Sequence, residues 1–210
     1  VRRAICVAVG YDEEKKELFP AGPLVMATRA ETMAVTANAL HEHGMALDKA
    51  WEMTQRAFQE ADQELSLIEL VKPAPGLIPT LSFLHKSGLV MACLTNDEYE
   101  RTQKIFELLN IRHYFDLVVG GDEVPRPKPD PEMFHRACSR LGVLPSQVAY
   151  IGDSIWDMNM ARSAGAGVVV GILGGASSWD ILREKADVVI PHLRAIGVQK
   201  SSVIILFMAA

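Results

Sequence analysis

The sequence lacks several features that would assign it to a specialised class of protein. No apolar run reaches the ~20 residues that span a bilayer, and no secretory signal peptide is recognisable. Its three cysteines, Cys6, Cys93 and Cys138, have no CxxC spacing, which favours free thiols in a reducing compartment such as the cytoplasm. The formal net charge is −5 and the basic residues are spread along the chain, so we expect neither nucleic acid nor a membrane as a partner.

The composition that remains is that of an ordinary globular protein. Hydrophobic residues make up 49% and charged residues 22% of the 210 positions, which is enough for one sizeable core and a small accessory domain. A boundary is predicted at Pro73-Ala-Pro75-Gly76, because this stretch continues neither a helix nor a strand. We therefore divide the chain into a helical segment over 1–73, an α/β core over 74–196 and a tail over 197–210 of unknown role.

The helical segment is indicated by a capping signal followed by apolar residues at helical spacing. Thr28 and Glu31 have the form of a capping box, which predicts a helix to about His43, and a second helix is predicted over 47–64. Residues 5–9 before them are apolar and read as a candidate strand.

From residue 77 onward, apolar strands alternate with amphipathic helices. Strands are predicted at 89–94, 115–119, 147–151, 168–171 and 188–190, with helices at 77–85, 98–109, 131–141, 157–164 and 179–184. Continuous apolar strands of this kind indicate a parallel sheet covered on both faces. The predicted fold class is α/β, a Rossmann-like parallel sheet flanked by helices, with the small helical segment before it.

Polar side chains follow three of these strands, at the edge where such sheets bind ligands. Thr95 and Asn96 follow the first strand, and together with free helix amides they would form an anion site. Lys128, held among three prolines, follows the second, while Asp153 and Asp157 follow the third. Together these groups would bind a phosphate and a divalent cation such as Mg²⁺.

Each group also has a plainer interpretation when taken alone. Thr95 and Asn96 would serve as an ordinary helix N-cap. Asp153 would cap the following helix, and Asp157 would be a solvated acid in its first turn. The agreement of three consecutive strand ends favours the binding site over these alternatives.

Three of these stretches resemble motifs of one known family. Leu94-Thr95-Asn96, Lys128-Pro-Asp130-Pro131 and Gly152-Asp153-Ser154 with Asp157 resemble the second, third and fourth motifs of the haloacid dehalogenase superfamily, especially its phosphoglycolate-phosphatase-like hydrolases. The resemblance covers more than half of the chain. It implies a Mg²⁺-dependent phosphatase that acts on a small phosphorylated metabolite, and residues 1–73 resemble the family's small helical cap.

The resemblance also implies a role for each site residue. The Thr95 hydroxyl would bind the transferring phosphoryl group, with Asn96 shaping the turn. Lys128 would neutralise the phosphate and the nucleophile, and Asp153 and Asp157 would hold Mg²⁺. In the family, an aspartyl-phosphate forms and water then hydrolyses it.

One departure concerns the nucleophile. The family's first motif, Asp-x-Asp-Gly-Thr, does not occur in the sequence, and the nearest candidate is Asp12 after the apolar stretch 5–9. We expect that the motif lies upstream of Val1 and that the chain as given is inactive, with Asp12 as the alternative nucleophile. The family's nucleophile strand lies in the middle of the sheet, so we expect that position to be filled by 5–9, by 203–207 or by a strand from a partner.

Two functions from different classes therefore remain open. One is the phosphatase, and the other is a non-catalytic phosphate-binding or interaction protein on the same fold. An Asp-x-Asp-Gly-Thr encoded upstream of Val1 would favour the enzyme, whereas a start codon next to Val1 would favour the binding protein. The sequence names neither the substrate nor the oligomeric state.

Overall fold

The computed structural model describes residues 1–64, 66–197 and 204–207. The chain divides into two compact units, Val1–Val71 and Lys72–Ala210. In the described residues, no helix is both long enough and apolar enough to cross a membrane.

The first unit is helical apart from a short antiparallel hairpin. Its helices are α1 (Arg2–Val9), α2 (Pro23–Met26), α3 (Arg29–Glu42), α4 (Leu47–Glu64) and α5 (Leu67–Leu70), and its strands are β1 (Tyr11–Asp12) and β2 (Glu17–Leu18). The predicted capping box begins α3, since the Thr28 hydroxyl accepts a hydrogen bond from Glu31 N and the Glu31 carboxylate accepts one from Thr28 N. Helices α3 and α4 pack through a small core that includes Ala37, Leu40 and Ala50.

The apolar stretch 5–9 is helical, so its prediction as a strand is wrong. Ile5 packs against the small core of the first unit and Val9 is buried, whereas Val7 is exposed. This four-residue spacing places Ile5 and Val9 on one side of a helix. Gly10 ends the helix in a left-handed conformation with φ of 81°. The tertiary packing of one helical face therefore decides the structure of a stretch whose composition suits a strand.

The second unit is a six-stranded parallel sheet with helices on both faces. The strands are β3 (Met91–Leu94), β4 (Leu117–Val119), β5 (Val148–Gly152), β6 (Val168–Ile172), β7 (Val188–Ile190) and β8 (Ile204–Phe207), in the order β4-β3-β8-β5-β6-β7. The helices are α6 (Leu77–Lys86), α7 (Tyr99–Leu108), α8 (Glu132–Leu141), α9 (Ile155–Ala164) and α10 (Trp179–Leu182). The predicted α/β fold class is confirmed, with element ends shifted by one or two residues in most cases.

Alternate residues of β3, β4, β5 and β6 supply two separate cores. Met91 and Cys93 of β3 face a core completed by α6 and α7, whereas Ala92 and Leu94 face one completed by α8 and α9. Both cores are closed by fully buried side chains, which explains why the strands read as continuous apolar runs. The edge at the carboxyl ends of β3, β4 and β5 is left for the polar residues that follow these strands.

The middle position of the sheet is filled by β8. It pairs in parallel with β3 on one side, where Ala92 lies opposite Leu206, and with β5 on the other, where Tyr150 lies opposite Leu206. The expectation that the middle position is filled is confirmed, and of the alternatives it is the segment predicted at 203–207, and not 5–9, that fills it. Residue 203 itself, and the neighbouring residues 198–202 and 208–210, lie outside the described residues.

This pairing generates a prediction for stability. Proline at position 206 removes a backbone donor from a strand that is paired on both sides, so Leu206→Pro should destabilise the second unit by about 3 kcal/mol or more. Leu206→Val, which keeps the donor and the preference for extended backbone, is the matched control. Urea unfolding measures the change, and hydrogen exchange locates it.

The exchange data would contradict the pairing in one specific case. If the amides of Met91–Leu94 stayed protected in a monomer while those of Ile204–Phe207 exchanged freely, β8 would not occupy the middle of the sheet in solution.

Candidate functional site

The turn between β5 and α9 carries the two acidic residues that the sequence singles out. Ser154 is the N-cap of α9 and Asp157 is its partner in a capping box, so the plainer alternative, in which Asp153 caps the helix, is wrong. Ser154 Oγ accepts a hydrogen bond from Asp157 N at 3.1 Å, and Ser154 N donates to Asp157 Oδ2 at 3.1 Å. A Cβ at Gly152 would lie 2.4 Å from Asp157 Cβ, so the absent side chain of Gly152 lets Asp157 fold back over the strand end.

Asp157 is fully buried and both of its carboxylate oxygens already accept hydrogen bonds. Oδ1 accepts from Lys128 Nζ at 2.9 Å and from the Tyr150 hydroxyl at 2.7 Å. Oδ2 accepts from both Ser154 Oγ and Ser154 N. The alternative of a solvated first-turn acid is therefore wrong for Asp157. Burial raises the pKa of Tyr150, with a further contribution from Asp157, so its hydroxyl remains a neutral donor.

Lys128 is held at both its side chain and its backbone. Its ammonium is 5% exposed, pairs with Asp157 and donates a second hydrogen bond to the Leu94 carbonyl oxygen at 3.1 Å. The Asn96 side chain accepts from Lys128 N at 3.0 Å and donates to Lys128 O at 3.2 Å. An ammonium has three donors, and the hydrogen bonds of Lys128 to the described residues use two of them. The lysine is thus fixed in position with one donor left for an anion.

The start of α7 differs from the anion site predicted there. The amides of Asp97, Glu98 and Tyr99 donate to Thr95 Oγ1, to Asp97 Oδ1 and to Asp122 Oδ1, at 3.1, 2.9 and 2.8 Å. These three amides are therefore occupied by side chains, and the expectation of free helix amides is wrong for them. Thr95 itself is buried, and the N-cap of α7 is Glu98, so neither Thr95 nor Asn96 is the ordinary cap of this helix.

Asp153 differs from Asp157 in having an oxygen without a partner. Its Oδ2 accepts from Ala176 N at 2.9 Å, whereas Oδ1 is buried and has no hydrogen-bond partner among the described residues. Burial raises the pKa of Asp153 and the charge of Asp157 raises it further, while the Ala176 amide and Lys128 partly offset the shift. The charge of Lys128 lowers the pKa of Asp153, and the same ammonium pairs with Asp157. All three residues therefore lie close together at one edge of the sheet.

The donor set can be compared with the needs of Mg²⁺, the cation predicted here. Mg²⁺ binds oxygen ligands and commonly keeps several waters beside one or two carboxylates and a substrate phosphate. The unpartnered Oδ1 of Asp153 fits one such ligand, whereas Asp157 uses both oxygens to hold Lys128 and other donors. In the part of the chain that the structure describes, no group of three or more His, Cys, Asp or Glu residues could hold a metal. A metal role for Asp157 stays a prediction that its hydrogen bonds do not favour.

Asp12, the alternative nucleophile, lies in the first unit and ends no strand of the parallel sheet. Its Oδ1 accepts hydrogen bonds from Glu14 N and Lys15 N, both at 3.0 Å. It therefore caps the turn of the β1–β2 hairpin. The geometry expected of a nucleophile at the end of a central strand is absent at this residue.

Three residues of the site escaped the sequence analysis. Tyr150 lies inside a strand and reads as an ordinary core aromatic, so no local signal marks its hydroxyl. Ser154 belongs to a recognisable Ser-x-x-Asp capping pattern. Ala176 acts through its backbone, and the paired glycines just before it, at the end of another strand, are the signal that could have drawn attention to it.

Comparison with known proteins gives a consistent assignment. A family model described as haloacid dehalogenase-like hydrolase matches residues 12–165. A phosphoglycolate phosphatase of Nitrosospira multiformis is 32% identical over 145 residues, which are 68% of this chain and 64% of that protein. A phosphoglycolate phosphatase of Salmonella typhimurium is 41% identical over 91 residues, 43% of this chain and 36% of that protein. The chain thus spans less than two thirds of the length of either relative.

Solved structures show the same fold at lower identity. A crystal structure described as a predicted phosphoglycolate phosphatase from Haemophilus somnus superposes with a TM-score of 0.71 at 24% identity, covering 91% of this chain and 86% of that one. A hydrolase from Pseudomonas syringae gives a TM-score of 0.66 at 23% identity, covering 91% and 87%. At this level of identity the likeness supports the fold alone.

The buried ion pair generates a prediction for stability. Asp157→Asn leaves the Lys128 ammonium buried without its charged partner, so unfolding by denaturant should show a loss of about 3–5 kcal/mol. Asp180→Asn, which breaks an exposed pair with Arg183, is the matched control and should change little. An Asp157→Asn protein as stable as the unmodified chain would show that the pair does not form.

The unpartnered carboxylate generates a second prediction, for pH dependence. Because the pKa of Asp153 is raised in the folded protein, its charged form destabilises the fold at neutral pH and its protonated form does not. Asp153→Asn should therefore raise the stability at pH 7 by roughly 0.5–2 kcal/mol in metal-free buffer. The advantage should shrink as the pH falls below the raised pKa. Thermal unfolding between pH 4 and 8 measures it, and an advantage that is constant with pH would contradict the assignment.

Proposed function

Because the chain belongs to the haloacid dehalogenase-like hydrolases, we propose that it forms the substrate-binding part of a Mg²⁺-dependent phosphatase acting on a small phosphorylated metabolite. The observation that carries the proposal is that a group able to bind an anion and a group able to bind a cation lie at the same edge of the sheet. A fixed lysine retains a donor suited to an anion, and a neighbouring aspartate retains an oxygen suited to a cation. A phosphate ester bound to Mg²⁺ presents both charges side by side.

Each residue then has a role that follows from its contacts. Lys128 binds a phosphate oxygen through its remaining donor and neutralises charge there, while Asn96 and Asp157 keep the lysine in place. The Thr95 hydroxyl binds a second phosphate oxygen. Asp153 holds Mg²⁺, which when bound supplies positive charge that offsets the repulsion between a phosphate dianion and an attacking carboxylate.

The substrate class is proposed from the named relatives. The relatives from Nitrosospira multiformis and Salmonella typhimurium are both phosphoglycolate phosphatases, so a small phosphorylated carboxylic acid of this kind is the substrate to test first. The first unit, Val1–Val71, is proposed to act as the cap that selects the substrate. The absence of any disulfide among Cys6, Cys93 and Cys138 fits the reducing cytoplasm, which we propose as its location.

A second function, phosphate binding without catalysis, is favoured by the middle strand. In the family, the nucleophile directly follows the strand at this position, whereas in this sequence Met208 directly follows β8. A methionine side chain cannot form the acyl phosphate that an aspartate forms. We therefore propose that this chain binds phosphate but does not turn it over.

The two functions are separated by assaying binding and turnover in the same preparation. Calorimetry with inorganic phosphate and Mg²⁺ should detect binding that Lys128→Met weakens at least tenfold, because the substitution removes the charged donor. Hydrolysis of p-nitrophenyl phosphate and phosphoglycolate should stay at background. Asp12→Asn is the control for the alternative nucleophile.

Two results would change this assignment. Mg²⁺-dependent turnover that Asp12→Asn abolishes would make Asp12 the nucleophile and the chain an active enzyme. Phosphate binding that Lys128→Met leaves unchanged would place the phosphate away from this edge of the sheet.

A further inference from the structure

The loop after β6 donates two hydrogen bonds to Asp153. Ala176 N donates to Asp153 Oδ2 at 2.9 Å, and Ser177 N donates to the Asp153 carbonyl oxygen at 2.9 Å. The Ser177 side chain accepts from Ile155 N at 3.1 Å, which ties the same loop to the first turn of α9. The loop is therefore hydrogen-bonded to both the side chain and the backbone of Asp153, and also to the first turn of α9.

The loop can approach Asp153 this closely because residue 175 is glycine. A Cβ at Gly175 would lie 1.6 Å from Asp153 Oδ2 and 2.3 Å from its Cγ, distances that no side chain can occupy. The backbone of Gly175 is not in the left-handed region, so the space and not the backbone angle requires glycine here. The carboxylate lies directly against the loop, and any larger residue would force it to rotate.

The two oxygens of Asp153 are treated differently as a result. Oδ2 receives the Ala176 amide, whereas Oδ1 is buried and receives no donor from the described residues. Leaving a buried carboxylate oxygen without a donor is costly, and burial accordingly raises the pKa of this residue. The loop thus holds the carboxylate by one oxygen only, and the second oxygen is left for a ligand from outside the described residues.

We propose that the segment Gly174–Ser177 is the positioning segment of the cation site, holding Oδ2 and the backbone of Asp153 so that Oδ1 is directed to the cation. The presence of a cation rests on the proposed function, whereas the contacts between the segment and Asp153 are observed directly. Ala176 and Ser177 would act through Asp153, because their amides donate to its carboxylate and to its carbonyl oxygen. Groups that orient a metal ligand in this way commonly change metal affinity by 10–100-fold when altered.

The test measures the binding of Mn²⁺, as the probe ion, to four variants of the full chain. Electron paramagnetic resonance detects the bound ion. Gly175→Ala should weaken Mn²⁺ binding at least tenfold, because the added methyl group displaces the carboxylate. Gly197→Ala is the matched control, since a Cβ at Gly197 meets no atom of the described residues within 4 Å, and this variant should bind Mn²⁺ as the unmodified chain does. Asp153→Asn should abolish binding.

Ser177→Ala provides a milder change if Gly175→Ala folds poorly. It removes the oxygen that accepts from Ile155 N without adding any atoms, so the fold should be retained and Mn²⁺ binding should weaken a few-fold. Circular dichroism on each variant confirms that a loss of affinity is not a loss of structure.

Crystal structures of the unmodified chain and Gly175→Ala give the second readout, which does not depend on metal binding. The carboxylate of Asp153 should turn away from Ala176 in the variant and keep Oδ1 without a protein donor in the unmodified chain. If Mn²⁺ binds both proteins equally and the carboxylate is unmoved, the positioning role is wrong while the metal proposal stands. If the unmodified chain binds no Mn²⁺, no cation site exists for the segment to position, and this inference fails together with the metal part of the proposed function.

Discussion

The candidate site depends on one buried ion pair, between the Lys128 ammonium and the Asp157 carboxylate. The pair lies 2.9 Å apart, with side chains 5% and 0% exposed. Two charges so deeply buried persist only where further hydrogen bonds satisfy their remaining atoms, and Tyr150, Ser154 and the Leu94 carbonyl supply them. The pair links residues that follow different strands, so the strand ends cannot shift independently.

Asp153 and Asp157 have different surroundings, although the sequence pattern suggests the same metal-binding role for both. Asp153 and Asp157 are four residues apart and both are acidic, yet their surroundings differ. Asp157 is saturated with donors and serves as the counter-ion of Lys128, while Asp153 keeps one oxygen without a donor beside a glycine loop. The difference arises from the direction of each side chain at the strand end, because only Asp157 lies in the first turn of α9, where it folds back over Gly152.

The middle of the sheet imposes a second constraint. A parallel sheet that lost a central strand would leave two rows of backbone groups unpaired in its core, at about 1–3 kcal/mol for each buried group. Total stabilities of ~5–15 kcal/mol do not allow such a gap. Strand β8 satisfies both rows, and the rest of the core can then form as in the structures of related fold. Only backbone hydrogen bonds are required at this position, so a strand that is not followed by a carboxylate satisfies the requirement as well as one that is.

The sequence by itself determined the α/β order and the placing of Thr95, Lys128 and Asp153 after strands of the sheet, because apolar periodicity and turn residues act locally. The resemblance to the family added the expectation that some segment fills the middle of the sheet. Only the tertiary structure decided that 5–9 is helical and that 204–207 fills the gap, since both stretches are apolar and their packing partners are distant in sequence. The tertiary structure likewise decided that the amides at the start of α7 are occupied and that the loop after β6 holds Asp153. Hydrogen bonds between residues more than 20 positions apart leave no local pattern, and they appear only when the sheet brings its strand ends together.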